Sequence, residues 1–478
     1  MAEKTDLTFT PAWRLREMIR AKQVSPVELV DQTLKRIESQ NPKLNAYITV
    51  TADSARAQAK AAEQEAMRGG SLGPLLGIPI AIKDLLPTKG VRTTYGSAAY
   101  KDNVPDHDAI VVERVKAAGA IIVGKTNTSE FGHSLTVENK LGEPAKNPWD
   151  TTKTTGGSTG GGAAAIAAGL AQLAIGGDGG GSIRVPSAFC GVVGVKPTRG
   201  RVPSVDPLEG FPLFSELGPI TRNVRDAALL LAVIAGYDAR DPVAIRQPAG
   251  EYERAVTQGV KGLRVAFSTT LGGFAPVLTA VKTAVGDAAK VFGTLGATLE
   301  EAAPKMEDPA GIFGAIFVVD ARAAQGHLLE KQGDDLMPYV KSTIEYADKI
   351  SSVDYSKAMR RLERHRATVA EFFTKYDLLV IPTTAVPAFP IQPGIAGGVR
   401  PREIEGQRVS SLWGAFPFTM PFNLSGNPAA TVPCGVSPEG LPIGLQIVGK
   451  HGDEVTVLRA AAAFEQARPW DSHRPKDA

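Results

Sequence analysis

The chain has 478 residues, with 53 basic and 50 acidic side chains and a formal net charge of +3. So even a balance excludes the basic footprint of a nucleic-acid binder, and 43% apolar residues suffice for a large buried core. Two cysteines, Cys190 and Cys434, are too few for a disulfide framework or a cysteine metal site. The six histidines are not spaced as metal ligands, so no metal is expected.

The start, MAEKTDLTFTPAW, lacks an apolar leader segment, and the most apolar run, Ala163 to Ile175, is too short to span a bilayer. A cytoplasmic protein with no membrane partner is expected. Ser25-Pro26-Val27-Glu28 reads as a capping box ahead of a helix with Leu29, Val30, Leu34 and Ile37 on one face. GIPIAIKDLL predicts a buried strand from Ile78 to Ile82, with Lys83 at its C-terminal end. Asp108 reads as the cap of a helix through Val111, Val112 and Val115, which ends at Gly119 and runs into the strand AIIVG.

A small-residue helix from Ala163 to Ala168, the strand LAQLAI and the loop GGDGGGS follow. RVAF, a helix with Pro276 in its first turn and Val277, Val281, Ala284, Ala288 and Phe292 on one stripe, and then ATLE predict another crossover. Residues from Pro304 to about Thr374 read as helical, and YDLLVIPTT and GLPIGLQIVG return to strands. This alternation predicts an α/β fold: a single large domain over residues 1–478, with a mixed central β-sheet covered by helices on both faces.

Three patterns compete for the chemistry. Gly119-Ala-Ile-Ile-Val-Gly124-Lys125-Thr126 satisfies the phosphate-loop pattern, but Ala-Ile-Ile-Val is the composition of a buried strand and cannot wrap a phosphate. Gly156-Gly157-Ser158-Thr159-Gly160 satisfies the nucleophile-elbow pattern of α/β-hydrolases, yet the preceding DTTKTT is polar where a strand should lead in. His327, His365 or His451 would have to complete such a triad, and an esterase using Ser158 stands as the remote alternative.

The third pattern is the segment from Gly156 to Pro197, GGSTGGGAAAIAAGLAQLAIGGDGGGSIRVPSAFCGVVGVKP. It resembles the amidase signature family, whose members carry GGSSGG, then GSDTGGSIR, then a PAxxCG segment leading to GxKP. The resemblance extends from GIPIAIKD through NPWD to GLPIGLQIVG and the closing ARPW, most of the chain. It divides the chain into N-terminal helices (1–65), a catalytic signature core (66–220), a variable, largely helical pocket region (221–375) and C-terminal strands and helices (376–478).

The resemblance implies a catalytic trio of Lys83, Ser158 and Ser182, 75 and 24 positions apart as in the family, with Ser158 in a cis peptide and Ser182 the nucleophile. Two departures stand out: Thr159 replaces the second serine of GGSSGG, and Gly179 replaces the threonine of DTGGS. Neither removes a catalytic side chain. The residues read the same way chemically. A hydroxyl of ordinary pKa is a poor nucleophile and needs a base. With no suggestive histidine, that base is Lys83 in its neutral form, and Ser158 passes the proton between Ser182 and Lys83.

The N–H groups of Gly179, Gly180, Gly181 and Ser182 are expected to converge on the oxyanion, because no Cβ blocks the bend. Gly157 relieves crowding beside Ser158, Asp178 anchors the loop by accepting hydrogen bonds, and Arg184 holds a neighbouring strand or carboxylate. Gly132, His133, Phe211, Phe214, Phe313, Phe317 and Trp413 are candidates for the pocket, although buried aromatic residues more often serve the core.

The resulting expectation is an amidohydrolase that cleaves a carboxylic amide, with aryl amides and carbamates as candidate substrates, and needs no cofactor. Its partners would be a small-molecule amide and no nucleic acid, and a homodimer is compatible with it. The alternative is the glutamine-hydrolysing subunit of a tRNA amidotransferase. Against it, PLEGFPLFSELGPITRNVRD lacks the SSLDQ that such subunits carry before their GP segment.

Overall fold

The computed structural model describes residues 6–205, 213–391 and 400–476. Eleven strands among these residues form one sheet: β1 (Tyr47–Val50), β2 (Pro79–Lys83), β3 (Ile121–Thr126), β4 (Leu173–Asp178), β5 (Val193–Lys196), β6 (Glu216–Thr221), β7 (Arg264–Phe267), β8 (Thr298–Glu301), β9 (Leu378–Pro382), β10 (Ala429–Val436) and β11 (Pro442–Gly449). Across the sheet they run β1-β3-β2-β4-β6-β5-β10-β11-β9-β7-β8. The pairs β2/β3, β2/β4, β7/β8 and β7/β9 are parallel, while β4/β6, β5/β6, β5/β10, β10/β11 and β9/β11 are antiparallel. The protein is thus a single large α/β domain with a mixed sheet flanked by helices, as the alternation of elements predicts.

Every residue of β2, β3 and β11 is buried. Strands covered on both faces read as continuous apolar runs, which is how these were visible in the sequence. Ile121 to Thr126, within the phosphate-loop pattern, is therefore strand rather than phosphate loop, and Lys125 is buried, donating to Leu86 O and to the hydroxyls of Thr88 (2.8 Å) and Thr93 (2.9 Å).

Ser25 caps the helix Pro26–Leu44 by accepting from the N–H groups of Val27 and Glu28, as expected. Asp108 does not cap the next helix. That helix, Ile110–Ala117, begins after Ala109, and the Asp108 carboxylate instead accepts from Lys89 N–H and Lys116 Nζ. The helix expected around Pro276 begins three residues later, as Thr279–Thr294. Strand β4 extends through Gly176, Gly177 and Asp178, all three of which pair with β6 in place of forming a loop: Gly176 opposite Gly218, Gly177 opposite Leu217 and Asp178 opposite Glu216. The antiparallel partner on that edge supplies the hydrogen bonds that offset the glycines' loss of chain entropy.

Two smaller apolar clusters lie beside the main core. One joins Phe214, Ile312, Phe313, Met420 and Leu424, and the other joins Leu85, Tyr95, Phe131, Leu328 and Val340. The helix Ala310–Gln332 contributes to both. By length and composition it could cross a membrane, a feature the alanine-rich run had obscured, but it packs against the helices Pro338–Tyr346 and Ser352–Lys375.

Candidate active site

The sheet sets Lys83 at the end of β2, next to β4. Its side chain is 2% exposed, and Nζ lies 2.7 Å from Ser158 Oγ and 3.2 Å from the carbonyl oxygen of Gly177. The same carbonyl accepts from Thr159 Oγ1 at 3.2 Å. Thr159 therefore takes a structural place here: its Cγ2 packs where a Cβ on Gly176 would come within 2.7 Å.

The Gly157–Ser158 peptide is cis. Gly157 fits so closely that an added Cβ would stand 2.7 Å from Thr136 N. Ser158 lies between the ribbon strand Asp150–Thr154, which pairs with Lys146–Asn147 outside the central sheet, and the helix Gly160–Ala167. The N–H of Thr159 donates to Ser182 O at 3.1 Å, which ties the two serine segments together.

Ser182 follows β4 and is 5% exposed. Asp178, at the end of β4, accepts from the N–H groups of Gly181 (2.8 Å), Ile183 (3.1 Å) and Arg184 (3.3 Å), folding the chain back on itself around the serine. This corrects one expectation. The Gly181 N–H is committed to Asp178 Oδ1 and so cannot serve an oxyanion, whereas those of Gly179, Gly180 and Ser182 have no intramolecular acceptor among the described residues.

Arg184 is fully buried and grips Asp178 in a fork, Nε to Oδ2 at 2.9 Å and Nη2 to Oδ1 at 2.8 Å. It also donates to Thr419 O, Gln446 Oε1 and Asn423 Oδ1. Burial alone would raise the Asp178 carboxyl, but the Arg184 charge and hydrogen bonds outweigh it and hold the group below the usual carboxylate range. A second buried pair, Lys196 with Glu216 at 3.4 Å, lies beside it, and desolvation brings the Glu216 carboxyl up to about 7.

Thr419 Oγ1 donates to Gly180 O, and Asn423 Nδ2 donates to Asp178 O, both at 2.7 Å. Sequence reasoning missed Thr419, Asn423, Gln446 and Glu216. The available signal was a lone polar residue inside an apolar run, as Asn423 stands in MPFNLSG and Gln446 in PIGLQIVG.

Lys83, Ser158, Gly179, Gly180 and Ser182 open onto a cavity of about 650 Å³. Gly132, His133, Phe313, Phe317 and Trp413 line it. Phe313 is the hub, its ring 5.0 Å from Trp413 and 5.4 Å from Phe317, while His133 meets Phe317 at 5.1 Å. Burial pushes the His133 imidazole down to about 3, so it is neutral. Phe214 does not line the cavity; it sits behind Phe313 at 4.9 Å, in the core. Phe211 lies outside the described residues. Tyr339 and Arg400 also face the cavity and were not foreseen.

No histidine completes an elbow triad among the described residues: His327 is exposed, His365 bonds Pro421 O at 2.8 Å, and His451 lines a different cavity. The family pattern described as Amidase matches residues 28–458. The chain belongs to the amidase family. It is an amide C–N hydrolase.

Among curated relatives, it is 37% identical to an acylamidase of Rhodococcus erythropolis over 99% of this chain and 98% of that one. It is 36% identical to a glutamyl-tRNA(Gln) amidotransferase subunit of Carboxydothermus hydrogenoformans, over 98% of this chain and all of that one. Among solved structures, a bacterial aryl acylamidase superposes with a TM-score of 0.90 at 31% identity, covering 97% of each chain. A 6-aminohexanoate cyclic dimer hydrolase complexed with substrate gives 0.89 at 30% identity, over 98% of this chain and 99% of that one.

Proposed function

We propose that this amidase acts alone on amides bearing an aryl or other apolar group, with aryl carbamates as secondary substrates, through an acyl-enzyme on Ser182. Ser182 Oγ attacks the carbonyl carbon; its proton passes to Ser158 Oγ as the Ser158 proton passes to neutral Lys83. The negative charge on the carbonyl oxygen falls to the N–H groups of Gly179, Gly180 and Ser182. Collapse breaks the C–N bond while the Lys83 proton returns through Ser158 to the leaving nitrogen. Water then enters along the same relay and releases the acid.

The observation that carries the substrate class is the composition of the cavity wall. Phe131, Phe313, Phe317 and Trp413 contribute aromatic surface, and among the described residues no carboxylate lines it. Free glutamine presents an α-ammonium, and burying that ion without a counter-charge is costly. An anilide presents an aromatic ring instead.

The amidotransferase reading retains the support of the amidotransferase relatives. Steady-state assays of the purified chain on an acyl anilide, an aryl carbamate, an ester and glutamine decide between them. Anilide turnover without partners is expected. Glutamine turnover that requires added subunits, with no anilide cleavage, would replace this reading.

A further inference from the structure

A second cavity, of about 460 Å³, is lined by Arg199, Arg366, Ser425, Gly426, Lys450 and His451. Among the described residues that line it there is no carboxylate. Lys450 is paired with Asp377 at 2.6 Å, and the guanidinium groups of Arg199 and Arg366 are the other cations at the recess. A recess whose described lining carries cationic side chains and no carboxylate favours an anion.

The titration of the lining agrees. Desolvation and then the neighbouring charge of Arg199 lower the Arg366 guanidinium, and desolvation followed by Lys196 lowers the His451 imidazole. Carboxylates beyond the lining oppose part of this, Glu216 and Glu363 at Arg366 and Glu454 at His451.

Two further observations point to a ligand. Ser425 is 8% exposed, and its Oγ has no hydrogen-bond partner within the described structure, an unusual state for a buried hydroxyl. Gly426, at φ +75°, leaves an indentation that a Cβ would fill, 3.3 Å from Arg199 Cβ and 3.6 Å from His451 Nε2.

From this arrangement we infer that the cavity binds a phosphate-type dianion, held between Arg199 and Arg366 with Ser425 Oγ and His451 as further donors. Planar guanidinium forks match tetrahedral oxyanions. The volume exceeds what one inorganic phosphate fills, so the phosphoryl group of a small metabolite also fits.

The site is linked to the catalytic loop by a short path. Arg366 Nε donates to Leu424 O at 3.0 Å, and Ser425 follows the helix Met420–Leu424 directly. That helix carries Asn423, whose amide donates to Asp178 O and Oδ1. An anion that fixes Arg366 and Ser425 thereby firms the end of the helix on which the turn before Ser182 rests.

Calorimetry on the purified chain tests this with inorganic phosphate, glucose 6-phosphate and glucose, each at ionic strength matched with sodium chloride. Expected are one equivalent of bound phosphate, no binding of glucose, and affinity weakened at least tenfold in Arg366→Met. Because Arg366 also supports Leu424, Ser425→Ala and His451→Gln provide milder variants, each expected to weaken phosphate severalfold. Ser182→Ala should bind phosphate like the parent, which separates this cavity from the active site. Tighter binding of glucose 6-phosphate would assign a phosphorylated metabolite, and equal affinity would assign free phosphate. Wild-type affinity in both mild variants, loss of binding in Ser182→Ala, or heats no larger than those of chloride would overturn the proposal.

Discussion

Thr419 Oγ1 donates a 2.7 Å hydrogen bond to the carbonyl oxygen of Gly180, although the two residues are 239 positions apart. The bond fixes one face of the peptide that leads into Gly181 and Ser182. A Cβ at Gly181 would come within 2.4 Å of the same hydroxyl, so glycine there is a requirement of close packing as well as of φ +133°. The turn before Ser182 is thus held from outside by the segment before β10.

Thr419→Val keeps the shape and removes the donor. It is expected to cost about 1 kcal/mol of stability, the net worth of a typical hydrogen bond. Because small misplacements of a catalytic loop are expensive, kcat should fall by roughly ten- to a hundredfold while KM changes little. Urea unfolding and steady-state kinetics on an anilide provide both readings.

Arg184 is the buried cation on which Asp178 depends, so Arg184→Met leaves a buried carboxylate without its partner. Breaking such a pair costs about 3–5 kcal/mol. The expected result is a large fall in the denaturation midpoint. The double variant Arg184→Met with Asp178→Asn should recover part of that stability, and a double-mutant cycle measures how much.

Glu130 gives a stability signal that depends on pH. Its carboxyl is buried, accepts from Ser97 Oγ and Met337 N–H, and is raised to about 7, with desolvation the leading cause and the hydrogen bonds opposing it. The folded state therefore retains a proton that the unfolded chain, at an ordinary value near 4.5, gives up. The stabilisation is complete below the unfolded value and is lost as pH rises toward 7. Between pH 5 and pH 8 the parent should lose more stability than Glu130→Gln, and equal losses in thermal unfolding would reject this assignment.

Trp413 and Phe313 meet edge to face at 5.0 Å on the cavity wall. Truncating Trp413 to alanine removes apolar contact with the substrate and is expected to raise KM for an aryl amide about tenfold or more, with a smaller effect on acetamide. Equal effects on the two substrates would move Trp413 out of the aryl site.

The sheet was legible because strands buried on both faces announce themselves as short apolar runs, as β2, β3 and β9 do. Lys83, Ser158 and Ser182 were singled out by the resemblance of the segments around them, since each read alone is an ordinary lysine or loop serine. What escaped the sequence depends on contacts across the fold. Nothing local to Gly181 says that its N–H goes to Asp178, and nothing local to Phe214 says that Phe313 screens it from the cavity. Asp108 looked like a cap because the residue type is right, but Lys89 and Lys116 claim its carboxylate. The extension of β4 through two glycines was decided by its antiparallel neighbour, β6.

The pH dependence of hydrolysis follows from Lys83. A base must be unprotonated in the free enzyme, so kcat/KM on an activated anilide should rise with pH through one ionisation below the free lysine value of about 10.4. Lys83→Ala should lose several orders of magnitude and that limb of the profile, and retention of both would remove Lys83 from the relay.

The central claim is that Ser182 carries the acyl group while Ser158 only relays a proton. Peptide mapping of the purified chain after reaction with a fluorophosphonate tests it most directly. The account predicts one adduct, on the peptide containing Ser182, and no labelling of Ser182→Ala. An adduct on Ser158, or undiminished labelling of Ser182→Ala, would contradict it.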